Sequence, residues 1–488
     1  MNIQSIELVT LGPAIVLALG ALVALFVDLA TRRGQAALAV GVAASAVAVP
    51  LAVAGSGERT LCTTGDLATA QCAFVVDPFS VALQLVIIGG TAVVLLMASA
   101  DIAARVVPGG EFTFLVLSSA SGAVLIPATN DLVTLVVALE VVSLPGFALV
   151  ALRRGEPRAA EAAVKAFLYS VAAVAVSLYG VALLYGATGV VTFPDLRVAA
   201  SEGEPSAIAT AGLVMLLAVI AFKVAAVPFH AWAPDTYQGA TVPVAAYLSV
   251  VSKAAGFAAL LLVTWTFGGW SQVWAPVVAV FAALTMLVGN LVALRQQLAI
   301  RLLAWSSIAQ AGYILVPLAA VSGTIEWGSL VTTAVIGYLV AYAAMNLGAF
   351  AVVSVVARLD GLDTIASYRG LWRRRPWLAI CLAFFLACLA GLPPGIIGLL
   401  VKVDVLAVPA AGEVWWLALV MAVATVIGLA YYLKWGAIMF RAPHAARSVP
   451  WRPARSNWPS LVAVGICLAA TLVLSVLPSL ALGLVERL

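Results

Sequence analysis

The chain is written as a succession of long apolar runs, each stopped by a short polar connection. Fourteen runs stand out, at about 8–29, 36–56, 78–100, 112–128, 131–151, 163–186, 206–235, 241–266, 272–294, 300–322, 327–357, 376–408, 414–440 and 458–484. One helix needs about 20 apolar residues to cross the hydrocarbon of a bilayer. Backbone groups in lipid must satisfy one another, so the runs predict helices; barrel strands would be near 10 residues long and alternating. Of the 488 residues, 64% are hydrophobic and 9% charged. No soluble core hides that proportion, which excludes cytosolic enzymes, secreted disulfide scaffolds and nucleic-acid-binding modules. The expected fold class is all-α and polytopic, with about 14 transmembrane helices.

Charge placement orients the chain. Only five of the 25 basic residues are lysines (Lys165, Lys223, Lys253, Lys402 and Lys434), and all five fall inside apolar runs. The arginines take the connections. Giving alternate connections to opposite sides puts seventeen arginines on one side, starting from Arg32 and Arg33, and three, Arg59, Arg197 and Arg487, on the other. The arginine-rich side is expected to be cytoplasmic. An even number of spans then places both termini outside a bacterial inner (plasma) membrane. The first run is long and no basic residue precedes it, which reads as a retained span rather than a cleaved signal peptide. Cys62 and Cys72 share one outer connection, where a disulfide is permitted but not required. Cys381, Cys388 and Cys467 read as packing residues.

Two runs are too long and are interrupted. Span seven carries Lys223, then Pro228, His230 and Pro234; span twelve carries Gly391, Pro393, Pro394 and Gly395, then Lys402. Proline breaks the helical ladder, and irregular backbone at membrane depth survives only inside protein or beside a watery cavity. The two breaks lie five spans apart, an odd offset that inverts topology. Such paired breaks point to inverted repeats and an ion path. The expected organisation is a three-helix segment at 1–110, a first five-helix repeat at 111–266 (spans four to eight) and a second at 267–441 (spans nine to thirteen). Helix fourteen follows at 442–488.

Charges at membrane depth cost at least about 2.5–3.5 kcal/mol each on insertion scales, so they are kept for a reason. Glu140 and Lys253 sit too deep to snorkel. A Glu140–Lys223 pair would hold both charged, and altering their separation would change the lysine's hold on its proton. His230 alone reads as a hydrogen-bonded core histidine; seven residues after Lys223 in a broken helix, it also reads as a relay. Lys434 reads as a snorkelling residue, and the position of Lys165 leaves both readings open. Ser306, Ser307, Gln310 and Tyr313 in span ten, with Tyr338, Tyr342 and Asn346 on one face of span eleven, mark a wet path, interhelical hydrogen bonding, or both. No GxGxxG, GxxxxGK[ST] or CxxCH motif occurs, so no cofactor is expected within this chain.

Several stretches are long enough to carry a resemblance. FKVAAVPFHAWAPDTYQGATVPVAAYLSVVSKAAGF at 222–257, LEVVSLPGFALVAL around Glu140, EAAVKAFLYS around Lys165, NLVALRQQLAIRLLAWSSIAQAGY at 290–313 and LAGLPPGIIG at 389–398 resemble the antiporter-like membrane subunits of respiratory complex I. The pattern is most similar to the N type of NADH-quinone oxidoreductase subunit. The resemblance implies proton translocation from cytoplasm to outside, with NADH and quinone handled by other subunits of the complex. It implies that Glu140 and Lys223 form a paired site, Lys253 is a central protonatable lysine, His230 links the lysines, and Lys402 serves the second half-channel. Lys165 matches a family lysine in span six. One departure stands out. The family commonly reads PPxxGFIGK at span twelve, whereas here eight residues rather than seven separate Pro394 from Lys402. The lysine is then expected to face elsewhere, or the break to be remodelled, and Asp404 is a candidate partner for it. The alternatives are a subunit of an Mrp-type cation/proton antiporter, a hydrogenase membrane arm, or a structural scaffold.

Overall fold

A computed structural model describes residues 6–62, 71–153, 155–321, 329–361, 363–412, 414–442 and 458–483. The apolar runs are helices: α1 Gly12–Thr31, α2 Gly34–Ala54, α3 Pro78–Ala103, α4 Gly109–Leu125, α5 Leu132–Ala151 and α6 Pro157–Thr188. There follow α7 Phe193–Ser201, α8 Ala207–Lys223, α9 Trp232–Gly239, α10 Val242–Thr266, α11 Ser271–Ala293 and α12 Ala299–Ala319. The last are α13 Ser329–Asp360, α14 Pro376–Ala390, α15 Ile396–Ala411, α16 Trp415–Phe440 and α17 Trp458–Val476. Twelve helical segments are long and apolar enough to cross a membrane. The pairs α8–α9 and α14–α15 supply two broken passes, so the described residues make fourteen. Each broken pass is fourth in a run of five, and the two runs enter the membrane from opposite sides.

Local chemistry sets the helix starts. Asp77 accepts the Ser80 N–H at 2.8 Å to cap α3, Asp131 accepts the Thr134 N–H at 2.7 Å to cap α5, and Ser206 accepts the Ala209 N–H at 3.2 Å to cap α8. Proline opens α6 and α14, where its missing N–H would be unpaired anyway. Within the bundle α12 is central: its most apolar stretch is 100% buried, against 28% for α1 at the rim. α11 packs along α12, α6 against α8, and α1 between α2 and α4.

The connections sort into two faces as alternation requires. One cavity is lined by residues near Asp101, Arg153, Gln238, Leu298 and Arg358, from connections three–four, five–six, seven–eight, nine–ten and eleven–twelve. Another is lined by Arg59, Asn130, Arg197 and Trp265, from connections two–three, four–five, six–seven and eight–nine. The even-numbered and odd-numbered connections never mix in either.

Three features differ from the sequence expectation or go beyond it. The connection between α2 and α3 holds an antiparallel hairpin, β1 Arg59–Cys62 and β2 Cys72–Val75, in which Cys62 and Cys72 pair in register and form a disulfide. The nine-residue α7 was expected as plain connection; it buries only Phe193, Leu196 and Ala200, too few to announce a helix by periodicity. Helix α6 begins at Pro157, six residues before the apolar run at 163, because proline at its first turn starts the helix ahead of the apolar stretch. Arg154, His444, Arg447, Arg452, Arg455 and Arg487 lie outside the described residues.

Candidate functional site

Lys223 is the last residue of α8, where a cation faces the unpaired carbonyls of a helix C-terminus. Its Nζ lies 3.3 Å from Glu140 Oε1 on α5, donates to Ser170 Oγ on α6 at 3.2 Å, and donates to Ser143 Oγ, one turn along α5 from Glu140. The lysine is 9% exposed and the glutamate 23%. A buried ion pair persists only when further hydrogen bonds satisfy it, and the two serines do that here. The break follows. Ala225 takes φ +58, Thr285 Oγ1 on α11 accepts the Val227 N–H at 2.9 Å, and Trp232 Nε1 donates back to the Phe222 carbonyl at 3.0 Å. Side chains from beyond the break thus satisfy backbone groups that the helical ladder has released.

Lys253, in the middle of α10, is 2% exposed and has no carboxylate within 4.0 Å among the described residues. Its Nζ donates to the carbonyl and hydroxyl oxygens of Ser307 on α12, at 2.6 and 2.7 Å. Tyr342 on α13 donates to the same hydroxyl at 2.8 Å, and Asn346 Nδ2 donates to Tyr342 Oη at 3.0 Å and to Ser249 Oγ at 2.9 Å. One residue back along α12, Ser306 pairs with Tyr432 Oη of α16. Gln310 Nε2 donates to Tyr432 Oη and to the Leu389 carbonyl, both at 3.2 Å, while its Oε1 accepts from Tyr338. Lys402 Nζ donates to that same Leu389 carbonyl at 2.9 Å and to the Ala390 carbonyl at 3.1 Å. A polar line therefore runs from Lys253 to Lys402 along one side of α12, within an otherwise apolar bundle.

The spacing of Lys402 leaves two outcomes open, a shifted facing or a remodelled break. Lys402 is 7% exposed and faces the break, held by the freed carbonyls at the end of α14. The break is compact enough to absorb the extra residue: a Cβ on Gly398 would lie 1.8 Å from the Cys388 carbonyl oxygen, and Gly391 takes φ +82. Asp404 does not pair with it; no carboxylate lies within 4.0 Å of Lys402 among the described residues. His230 sits in the first break with its ring 5.3 Å from that of Trp305, its Nδ1 buried without a partner and with no direct hydrogen bond to either lysine among the described residues. Lys165 is 50% exposed and stands apart from the Glu140–Lys223 cluster, 2.6 Å from Glu161 and 4.0 Å from Asp235. Lys434 is exposed, as a snorkelling residue would be.

Sequence reasoning missed several neighbours. Asp235 gathers Lys165 and Arg301, whose Nη1 lies 3.2 Å away, and Gln238 accepts from Arg301 at 2.7 Å. Asp235 was legible as the lone acid of the WAPD stretch. Tyr431, which donates to Asn290 Oδ1 at 3.0 Å, was legible in the Tyr431–Tyr432 pair within an apolar run. The Leu389 and Ala390 carbonyls carry no sequence signal. Among the described residues no three His, Cys, Asp or Glu side chains gather as metal ligands do.

The chain is similar to known proteins over most of its length. Residues 129–428 match the family described as the transmembrane part of NADH:quinone oxidoreductase and Mrp antiporters. The chain is 46% identical over 504 residues to NADH-quinone oxidoreductase subunit N 2 of Streptomyces griseus, covering 98% of this chain and 92% of that one. The chain belongs to the NADH-quinone oxidoreductase subunit N family. Another member, from Geobacillus kaustophilus, is 35% identical over 495 residues and covers 98% of this chain and 96% of its own length. Among solved structures, a chain of Thermus thermophilus respiratory complex I superposes with a TM-score of 0.75 at 30% identity, covering 96% of this chain and 98% of that one. A chain of the Mrp complex of Dietzia sp., at 23% identity and a TM-score of 0.80 over 98% of this chain and 96% of that one, shares the fold. In this member of the family the helix breaks lie at Val224–Ala231 and Gly391–Gly395.

Proposed function

We propose that this subunit translocates protons across a bacterial inner membrane as part of an NADH-quinone oxidoreductase, through a central axis formed by Glu140, Lys223, Lys253 and Lys402. The single observation that carries the reading is the polar line from Lys253 to Lys402 along α12, two hydrogen-bonded groups that adjoin at the neighbouring Ser306 and Ser307, with the Glu140–Lys223 pair beside it. A buried scaffold has no need of unpaired lysines at both ends of a hydroxyl and amide chain, whereas a proton relay does. Protons enter from the cytoplasm through the cavity of about 620 Å³ that Asp101, Arg153, Gln238, Thr241 and Arg358 line. Thr241 lies twelve residues before Lys253, about 18 Å along α10, and its hydroxyl is buried without a partner among the described residues, a position a water would complete. They leave to the outside past Lys402. His230 serves as a relay in the first break, and Lys165, with Asp235, holds charge at the cytoplasmic edge.

Quinone reduction in other subunits drives the cycle by changing the Glu140–Lys223 separation. NADH and quinone are handled by those subunits, and this chain carries no cofactor. Residues 111–266 and 267–441 act as the two inverted repeats, 1–110 and 442–488 flank them, and both termini are outside. The 46% identity to a subunit N favours this over an Mrp-type antiporter or a hydrogenase arm, whose fold is shared. The test is Lys223→Ala in the intact complex, reconstituted in proteoliposomes. Electron transfer without acidification is expected; full pumping by an assembled variant overturns the reading. Co-purification of sodium-linked partners rather than NADH dehydrogenase subunits would favour the antiporter.

A further inference from the structure

The arginine-poor face holds a feature that proton transfer does not use. Of the three arginines assigned to that face, Arg59 and Arg197 line one cavity of about 600 Å³, together with Asp77, Asn130, Asp195 and Trp265. Its walls are fixed. Asn130 Nδ2 donates to the Cys72 carbonyl at 3.0 Å, its N–H donates to the Ala73 carbonyl at 2.9 Å, and its own carbonyl accepts from the Phe193 N–H at 2.9 Å. The Cys62–Cys72 disulfide closes the hairpin that carries Arg59. A cavity stitched by main-chain bonds from three connections is formed before any ligand arrives.

Two arginines and two aspartates line it, so its formal charges balance, but the opposite charges are not in contact. Both carboxylates are committed: Asp77 accepts from the N–H and hydroxyl of Ser80 at 2.8 and 2.7 Å, and Asp195 accepts from Gln71 Nε2 and the Thr192 hydroxyl at 2.5 and 2.7 Å. Neither arginine has a carboxylate within 4.0 Å among the described residues. Arg59 is exposed, and the Arg197 guanidinium lies 4.0 Å from the centre of the Trp265 ring. Stacking orients a guanidinium and leaves its edge donors free. Arg197 is exposed as well, and partial desolvation of its guanidinium lowers its pKa from the ordinary value. Trp265 and Leu262, at the end of α10, and Phe193 add the apolar side of a membrane–water interface.

We propose that this cavity binds a phosphate group, carried by an anionic phospholipid of the adjoining leaflet or free in the adjoining medium. A guanidinium edge suits the oxygens of a phosphate, two arginines line the one cavity, and the apolar wall suits a glycerol ester beside them. That the leaflet is the outer one rests on the orientation proposed above; the binding does not, and it survives if the pumping assignment fails.

The experiment uses the full chain purified in detergent. Retention of phosphatidylglycerol against phosphatidylcholine is read by native mass spectrometry, and the melting-temperature shift with inorganic phosphate is read against chloride at matched ionic strength. The Arg59→Gln/Arg197→Gln double variant is expected to bind at least about tenfold more weakly, the loss of two charge-assisted contacts. Retention of phosphatidylglycerol alone identifies the lipid, and stabilisation by phosphate alone identifies the free anion. If the double variant does not fold, Arg197→Lys, which keeps the charge and loses the fork, is read instead and is expected to weaken binding several-fold. A wild-type chain that responds to neither ligand overturns the proposal, as does a folded variant that responds as the wild type does.

Discussion

Lys223 and Lys253 are both buried lysines, yet their surroundings differ in kind. Lys223 has a countercharge and two hydroxyls, whereas Lys253 has only the neutral oxygens of Ser307. Removing one partner of a buried pair costs about 3–5 kcal/mol because the other charge is left uncompensated. Glu140→Gln is therefore expected to lower the melting temperature of the isolated subunit, with Glu140→Asp recovering part of it; calorimetry or a fluorescence melt in detergent reads both. Ser307→Ala removes a hydrogen bond to a charged group, worth about 1.5–3 kcal/mol, while the Ser307 carbonyl remains. Proton transfer measured in proteoliposomes is expected to slow, and assembly to persist. Tyr432→Phe cuts the contacts to Ser306 and Gln310 and is expected to slow transfer towards Lys402 while leaving the Lys253 contacts in place.

At the scale of elements, the breaks carry the arrangement. Gly398 lies where a Cβ would meet the Cys388 carbonyl oxygen at 1.8 Å, a backbone atom that cannot turn aside. Gly398→Ala is expected to push α15 away from α14, costing at least the roughly 1–3 kcal/mol of an overpacked core and loosening the hold of the Leu389 and Ala390 carbonyls on Lys402. A fall in melting temperature together with lost pumping is the expected result; an unchanged melt would show that the break relaxes freely. These breaks were legible, because Pro393, Pro394 and Gly391 announce themselves in an apolar run. The facing of Lys402 was not, because it depends on how tightly Gly395 and Gly398 pack on Cys388, which spacing alone does not encode. Helix α7 was missed for a related reason: three buried residues in nine give no period, and tertiary contact with the end of α10 supplies what the sequence lacks.

For the whole molecule, the fourteen passes were readable because lipid permits so few backbone solutions that apolar length nearly determines structure. The partners of the buried charges were less readable. Ser143 could be placed by its turn-of-helix distance from Glu140, but Ser170 meets Lys223 only because α5, α6 and α8 pack together. The two faces also make a prediction. Ser56 and Gly155 are exposed on opposite faces, and the native free cysteines Cys381, Cys388 and Cys467 are buried. In intact cells a membrane-impermeant thiol reagent is expected to label Ser56→Cys and to spare Gly155→Cys. The reverse pattern would invert the orientation and with it the direction of pumping.

The burial of α12 bears on how the protein is made. A helix carrying Ser306, Ser307, Gln310 and Tyr313 leaves the ribosome before α13 and α16, which supply most of its partners, have been synthesised. Exposed singly to lipid, those groups would disfavour its release from the insertion machinery. Helix α11 is the neighbour that can escort it. Gly289 of α11 lies where even a Cβ would come within 2.6 Å of the Ala309 backbone of α12, and Asn290 Nδ2 already reaches Tyr313 at 3.1 Å. The two helices are thus suited to enter the bilayer as one hairpin, and the order of synthesis becomes part of how the polar line is kept out of lipid.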